Sequence, residues 1–266
     1  MVHPLLSALA WLIAASASST LAAINAEETG SDAVAGAFII ECKNSHEVES
    51  LAKAVLDKGG EVRHTFDSEF FRGVAVQLAN VSNDKDKKTL MESFNTWPVS
   101  KASLPVPNQA TRHAEQAGHE KARLERRATE AHWAHVMTQV EELHEEGFTG
   151  NGIKIAMIDS GVNYTHPALG GCFGKGCRVA FGDNFTPDGE DGDPMHCHGH
   201  GTAVAGVLAG YLQTNDTSFV GAAPNATIMA YRVFDCTGET NDADYMKAWE
   251  RAAEDGAQII LSSVAF

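Results

Sequence analysis

The ten residues Cys197-His198-Gly199-His200-Gly201-Thr202-Ala203-Val204-Ala205-Gly206 restrict the fold more than any other stretch of this chain. Beyond His200 every side chain is small or apolar, and Ala203, Val204, Val207 and Leu208 recur at helical spacing. The pattern predicts a buried helix that opens at His200. Gly201, Gly206 and Gly210 let such a helix lie close against neighbouring backbone. An imidazole fixed at the start of a buried helix suits a general base. The plainer reading is a loop histidine facing solvent. A base needs a carboxylate to orient it, and one lies upstream. Gly152-Ile153-Lys154-Ile155-Ala156-Met157-Ile158 reads as a largely apolar strand for a parallel sheet, and it ends in Asp159-Ser160-Gly161-Val162. Catalytic groups of open α/β sheets gather at the carboxyl ends of strands, where Asp159 falls. An aspartate there accepts the proton of one ring nitrogen and holds the other toward a nucleophile.

In this order, the two motifs resemble the subtilisin-like serine proteases, the subtilase family, whose chain order is aspartate, histidine, serine. The likeness runs from about Thr138 to Ile260 and includes Thr165-His166-Pro167-Ala168-Leu169 and Gly221-Ala222-Ala223-Pro224. It implies peptide-bond hydrolysis through an acyl-enzyme, with a polypeptide substrate and no required cofactor. In that scheme Asp159 orients His200, and His200 takes the proton of a serine. The family's Gly-Thr-Ser-x-Ala segment, which carries that serine, is not spelled after His200, and neither is its oxyanion asparagine. The expectation is therefore a chain cut short before the catalytic serine and inactive by itself. Gly256-Ala257-Gln258-Ile259-Ile260 resembles the family's Gly-Ala-Asp-Val-Ile run, and Ser263 looks like part of its substrate-lining stretch. Ala203 departs from the pattern, standing where most of the family has a second histidine.

Thirty-five acidic against twenty basic side chains, with a pI near 5.1, argue against a nucleic-acid partner. Residues 1–23 read as a secretory signal: Leu5 to Ala15 is apolar, and Ser16 to Ala23 is rich in small residues. The run is too short to span a bilayer, so the expected location is extracellular, with no membrane partner. Outside the cytosol disulfides persist. Cys172 and Cys177 bracket a glycine-rich loop and suit a small ring. Cysteines at the places of Cys197 and Cys236 are bonded in some subtilases, and the resemblance implies the same pair here. Cys42 is left over; the other reading is free thiols throughout. Asn80, Asn163, Asn184, Asn215 and Asn225 each open a glycosylation sequon, with Asn163 close to Asp159.

Residues 34–107 predict a small α+β unit in strand-helix-strand-strand-helix-strand order. Its strands are Ala37–Cys42, Glu61–Phe66, Gly73–Leu78 and Trp97–Leu104. Ser45 caps a first helix with Val48, Leu51, Ala52, Val55 and Leu56 on its apolar face, and a second runs from about Asp84 to Phe94. The order resembles the propeptide inhibitor that precedes subtilase catalytic units; the plain alternative is an unrelated ferredoxin-like module. Its own propeptide would then be a partner of the enzyme. A second class of function follows, a non-catalytic inhibitor or chaperone of other subtilases. Residues 108–131 are a polar linker carrying Arg126-Arg127, a candidate processing site.

Residues 132–266 follow. Thr138-Gln139-Val140-Glu141 reads as a capping box for a short helix that Gly147 closes. Strands at Ile153–Asp159, Arg178–Phe181, Ala226–Phe234 and Ala257–Leu261 alternate with helices, the last capped by Asn241 and buried through Tyr245, Trp249, Ala252 and Ala253. The alternation predicts an α/β, doubly wound parallel sheet, incomplete relative to subtilisin, with Ile259, Ile260 and Leu261 on an unpaired edge. The acidic loop Asp183, Asp188, Glu190, Asp191, Asp193 offers oxygens for a structural calcium, as in many subtilases; a solvated loop is the other reading. A third class, a zinc protein using His196, Cys197, His198 and His200, meets a geometric objection. Four ligands within five residues do not surround one tetrahedral ion.

Overall fold

The computed structural model describes residues 32–78, 84–104, 135, 137–214 and 218–264. The first half runs β1 (Ala33–Glu41), α1 (Ser45–Asp57), β2 (Glu61–Asp67), β3 (Arg72–Gln77), α2 (Asp84–Glu92) and β4 (Thr96–Ser103), the element order expected. Its strands pair antiparallel in the order β4-β1-β3-β2. Alternation along each strand sends Ile40, Val74 and Val76 against Val48, Leu51 and Val55 of α1. Ala37, Ile39, Phe66, Ala75 and Val99 point the other way and form a second apolar layer. Two details of α1 differ from expectation. Asn44, not Ser45, is its cap, its side chain accepting from the Glu47 amide at 3.0 Å. Leu56 is exposed, because the sheet covers only the stripe through Val48, Leu51 and Val55.

The second half begins with α3 (Val140–Glu145) and β5 (Lys154–Asp159), followed by a 3-10 turn at Pro167–Leu169 and by β6 (Val179–Asn184). Then come α4 (His200–Ala209), the ribbon β7 (Tyr211–Gln213) and β8 (Ser218–Val220), and β9 (Thr227–Arg232). β10 (Glu239–Asn241), α5 (Asp242–Glu254) and β11 (Ile259–Ser262) complete it. Four of these strands form a parallel sheet in the order β11-β5-β9-β6. Its core strands are apolar on both faces, as a covered parallel sheet requires. Met157, Ile228 and Ala230 pack with Ala205 and Ala209 of α4, whereas Ala156, Ile158, Met229 and Tyr231 pack with Tyr245, Ala248 and Ala252 of α5. Helices on opposite faces make the sheet doubly wound. β11 is an edge strand, and Ile259 at its start is exposed.

Three local expectations are corrected. The buried stripe of α4 is Gly201, Ala205 and Ala209, while Ala203 is exposed and Val207 is 66% exposed. On α5, Tyr245 and Ala252 are buried as expected, but Trp249 is 44% exposed and Ala253 half-buried, while Ala243, Ala248 and Glu250 are buried as well. The Thr138–Glu141 capping box does not form. Gln139 holds the cap position at φ 59° with no side-chain bond, and the Thr138 hydroxyl donates to the His135 carbonyl. Asn241 caps α5 as expected, accepting from the Asp244 amide at 3.0 Å.

β10 was not anticipated as a strand. It pairs antiparallel with β4, joining the two halves through Glu239↔Ser103, Thr240↔Ala102 and Asn241↔Lys101. The segment 1–23, the linker with Arg126-Arg127, and the sequons at Asn80 and Asn215 lie outside the described residues. Among the described residues no helix is long and apolar enough to cross a membrane.

Met229 is fully buried at the centre of β9. Met229→Ala should lower the unfolding free energy by about 2–5 kcal/mol, a loss read from the urea midpoint.

Candidate active site

Asp159 ends β5 and His200 opens α4, and the two elements bring their side chains together. Asp159, 2% exposed, accepts from His200 Nδ1 through Oδ1 at 2.8 Å. A carboxylate only accepts, so Nδ1 carries the proton and Nε2 of the neutral ring keeps its lone pair. The His200 side chain remains partly open to solvent while its partner is sealed. Asp159 Oδ1 also accepts from the Ser160 amide at 2.6 Å, and Oδ2 is buried without a partner. The arrangement holds the imidazole in one tautomer against a buried carboxylate.

Ser160 draws the base-bearing loop onto the strand end. Fully buried, its hydroxyl donates to the His198 carbonyl at 2.7 Å and accepts from the Gly201 amide at 3.0 Å. Two further bonds lace the same loops: Asn163 amide to Thr202 Oγ1 and Val162 amide to the Pro194 carbonyl, each 2.8 Å. Gly201 permits the approach. A Cβ there would sit 2.3 Å from the Gly161 carbonyl oxygen and 3.0 Å from Asp159 Oδ1. Gly210 is equally confined, 2.7 Å from the Gly206 carbonyl oxygen, whereas a Cβ on Gly206 would meet open space. Of the three glycines expected to give close packing, two do.

Sequence reasoning overlooked Ser160, Thr202 and Tyr245 as parts of the site. Tyr245, buried on α5, donates its hydroxyl to the Ile158 carbonyl at 3.2 Å and bonds to Ser262 Oγ. Burial pushes this phenol above its ordinary pKa, with the Asp159 charge adding to the shift. The hydroxyl therefore stays protonated and ties the end of β5 to the end of β11. Ser263 is exposed just beyond β11.

Both expected disulfides are present, Cys172–Cys177 and Cys197–Cys236, with Cα separations of 5.6 and 5.0 Å. Cys42 is a buried free thiol, and burial lifts its pKa to about 11. With its sulfur bonded to Cys236, Cys197 is no thiolate ligand for zinc. Three carboxylates of the acidic loop, Asp183, Asp188 and Asp193, accept local hydrogen bonds. Asp183 Oδ1 accepts from the Asn184 and Gly192 amides, and Asp193 Oδ1 accepts from Tyr164 and Met195. Asp188 pairs with the buried Arg232 at 2.6 Å. Burial raises the Asp188 pKa, but the Cys236 amide, the Thr186 hydroxyl and Arg232 outweigh it and hold the carboxyl below its usual range. Among the described residues, the grouping of three possible ligands is Asp188, Cys197 and Cys236, and two of those are the disulfide sulfurs. Asn184 is buried with its Nδ2 on the Thr186 carbonyl, whereas Asn225 is exposed with its Nδ2 on Thr149 Oγ1.

Gly201→Ala forces a methyl against backbone that has no flexible side chain to yield. It should cost about 1–3 kcal/mol and break the Asp159–His200 contact, seen as loss of the hydrogen-bonded His200 Nδ1 proton by NMR.

Comparison with known proteins places this geometry. Residues 150–265 match the model of the subtilase family. The minor extracellular protease Vpr of Bacillus subtilis (strain 168) is 41% identical over 121 residues, covering 44% of this chain and 14% of that protein. A thermophilic serine proteinase of Bacillus sp. (strain AK1) is 29% identical over 254 residues, 92% of this chain and 55% of that protein. Subtilisin E of Bacillus subtilis (strain 168) is 33% identical over 122 residues, 46% of this chain and 29% of that protein. The chain thus spans 14%, 55% and 29% of the length of these three relatives. The crystal structure of fervidolysin from Fervidobacterium pennivorans superposes with a TM-score of 0.57 at 23% identity, covering 88% of this chain and 36% of that one. Parallel sheet, Asp159 at a strand end, His200 at a helix start and the family match agree: over residues 150–265 this chain is similar to the subtilase family, on a subtilisin-like fold.

Proposed function

We propose that the chain belongs to a secreted subtilisin-like serine endopeptidase, made as a zymogen. The Asp159–His200 hydrogen bond of 2.8 Å carries this reading. In the reaction, His200 Nε2 removes the proton of a serine hydroxyl as the oxygen attacks a peptide carbonyl. Asp159 keeps Nδ1 protonated and balances the imidazolium that forms. The same ring then protonates the departing amine, leaving an acyl-enzyme that water resolves. The substrate is a polypeptide, and nothing in the step calls for a cofactor.

The first half is the propeptide in this reading, and its attachment to the second half supports that role. Pairing of β4 with β10 continues into the Leu104 amide, which donates to the Gly238 carbonyl at 2.8 Å. Leu104 is buried in the apolar cluster of Ile158, Phe234 and Tyr245. Groups of α5 hold the strands of the first half: Asp242 Oδ2 accepts from the Ser100 amide, Glu250 Oε1 from the Asp67 amide, and Asp244 pairs with His64 at 2.6 Å. A segment lying along β10 in this way excludes a substrate strand from the same edge. Secretion is supported by the signal-like residues 1–23 and by the two disulfides.

Among the described residues no serine is hydrogen-bonded to His200. The proposal therefore includes that these 266 residues hydrolyse no peptide by themselves. A fluorophosphonate probe, which marks activated serines, should leave the purified chain unlabelled; a labelled serine within it refutes this part. The competence of the two groups is tested separately. Residues 150–264, exchanged for the matching segment of subtilisin E, should retain peptide hydrolysis. His200→Ala in that exchange should lower kcat by about six orders of magnitude. An exchange protein indifferent to His200→Ala ends the reading.

A further inference from the structure

The peptidase reading gives no role to a buried guanidinium beneath an exposed disulfide. Arg232, 3% exposed, points Nη2 at Cys197 Sγ (3.3 Å) and at Cys236 Sγ (3.5 Å). The same nitrogen donates to Asp188 Oδ1 at 2.6 Å, while Arg232 Nε donates to the Phe234 carbonyl at 3.1 Å. Asp188 Oδ2 accepts from the Cys236 amide at 2.6 Å. Cys197 and Cys236 themselves lie at the surface, within reach of a small thiol. Neutral disulfide sulfurs gain little from a neighbouring cation. A thiolate gains a charge-assisted hydrogen bond and a lowered pKa, and both favour the reduced pair.

The bond also sits at a junction. Cys197 is three residues before His200, and Cys236 is three before β10, which carries β4. It is the covalent tie between the loop of the base and the strand that holds the first half of the chain. We propose that Cys197–Cys236 is a thiol-exchange site, a redox latch whose opening loosens both the His200 loop and the β4–β10 pairing.

The exchange balances with a small-molecule thiol as reductant. A thiolate attacks one cysteine sulfur, the S–S bond breaks, and its electron pair leaves on the other sulfur, opposite Arg232 Nη2. A second thiol attacks the mixed disulfide and releases the first cysteine. Two thiols become one disulfide, and the two electrons they give up reside on Cys197 and Cys236. Of the two thiol protons, one goes to a cysteine and one to solvent, so one thiolate remains on the guanidinium. Asp188 works against this, since its carboxylate neutralises Arg232 and repels the thiolate.

Two variants should therefore move the exchange constant in opposite directions. The purified full chain is equilibrated in glutathione buffers, alkylated and mapped by mass spectrometry. Asp188→Asn should favour reduction about tenfold, ~30 mV, and Arg232→Met should disfavour it by a similar factor. Cys172–Cys177, mapped in the same samples, should not respond to either change. Reduction of the wild type should also speed amide exchange at residues 198–201, 239–241 and 101–103. Asp188 is on the surface, so its variant decides the matter if Arg232→Met fails to fold. An unchanged constant in Asp188→Asn, or equal amide exchange in the two redox states, overturns the proposal. Neither readout depends on peptide hydrolysis, so the outcome stands apart from that of the peptidase reading.

Discussion

A strand end and a helix start can share one hydrogen bond only if their backbones come nearly into contact, and here a single missing methyl group allows it. Gly201 lies where a Cβ would overlap the Gly161 carbonyl. With that space free, the Gly201 amide reaches Ser160 Oγ, the Ser160 hydroxyl reaches the His198 carbonyl, and His200 is delivered to Asp159. Each of these bonds is local in space, yet they join segments about forty residues apart in sequence. The sheet supplies the rigid side of the contact. β5 lies between β11 and β9, and Asp159 at its end pairs with Arg232 of β9, one residue beyond the last β11 partner, Ile158.

Charge is buried at the ends of β5 and β9 by two different devices. Asp159 is sealed with one oxygen satisfied by an amide and an imidazole, the other oxygen bare. Arg232, one strand away at the end of β9, is satisfied by Asp188 and the Phe234 carbonyl. An unsatisfied carboxylate oxygen in a low-dielectric setting favours a proton or a positive charge nearby. The nearest group able to acquire one is the His200 ring, at 2.8 Å from the other oxygen. Arg232 holds its charge permanently and needs a permanent partner.

Much of this was legible in the residues, and the misreadings share physical causes. The apolar runs of β5 and β9 identify buried parallel strands because both faces are covered, so no register choice has to be made. Helical periodicity is less informative. It shows that α4 and α5 have an apolar stripe, but not which neighbour of a given residue faces the sheet. Val207 and Trp249 were assigned inward because they are large and apolar. The sheet instead accepts Gly201, Ala205 and Ala209 on one side and Ala248 and Ala252 on the other, since small side chains let the helices approach. Ser160 escaped notice because a serine after an aspartate carries no pattern; only the position of the His198 carbonyl gives it work. The three-residue β10 left no trace either. Glu239-Thr240-Asn241 is polar throughout, and its pairing with β4 uses main-chain groups that every sequence possesses.

That last point bears on how the two halves hold together. A seam made of backbone pairing, carboxylates capping amides and a His64–Asp244 pair gives up much of its energy to water when opened, because every group in it is well solvated once free. Its apolar share is the layer Ala37, Ile39, Phe66, Ala75 and Val99 against Ala243 and Met246 of α5, with Leu104 in the other cluster. Each half keeps its own packed interior when the seam parts: α1 on the antiparallel sheet, α4 and α5 on the parallel one. Joints of this composition resemble reversible contacts between domains more than a continuous core. The docked strand is therefore held by register and by a few charged caps. A device that acts on β10 alone, as a covalent tie at Cys236 does, changes the seam without unfolding either side.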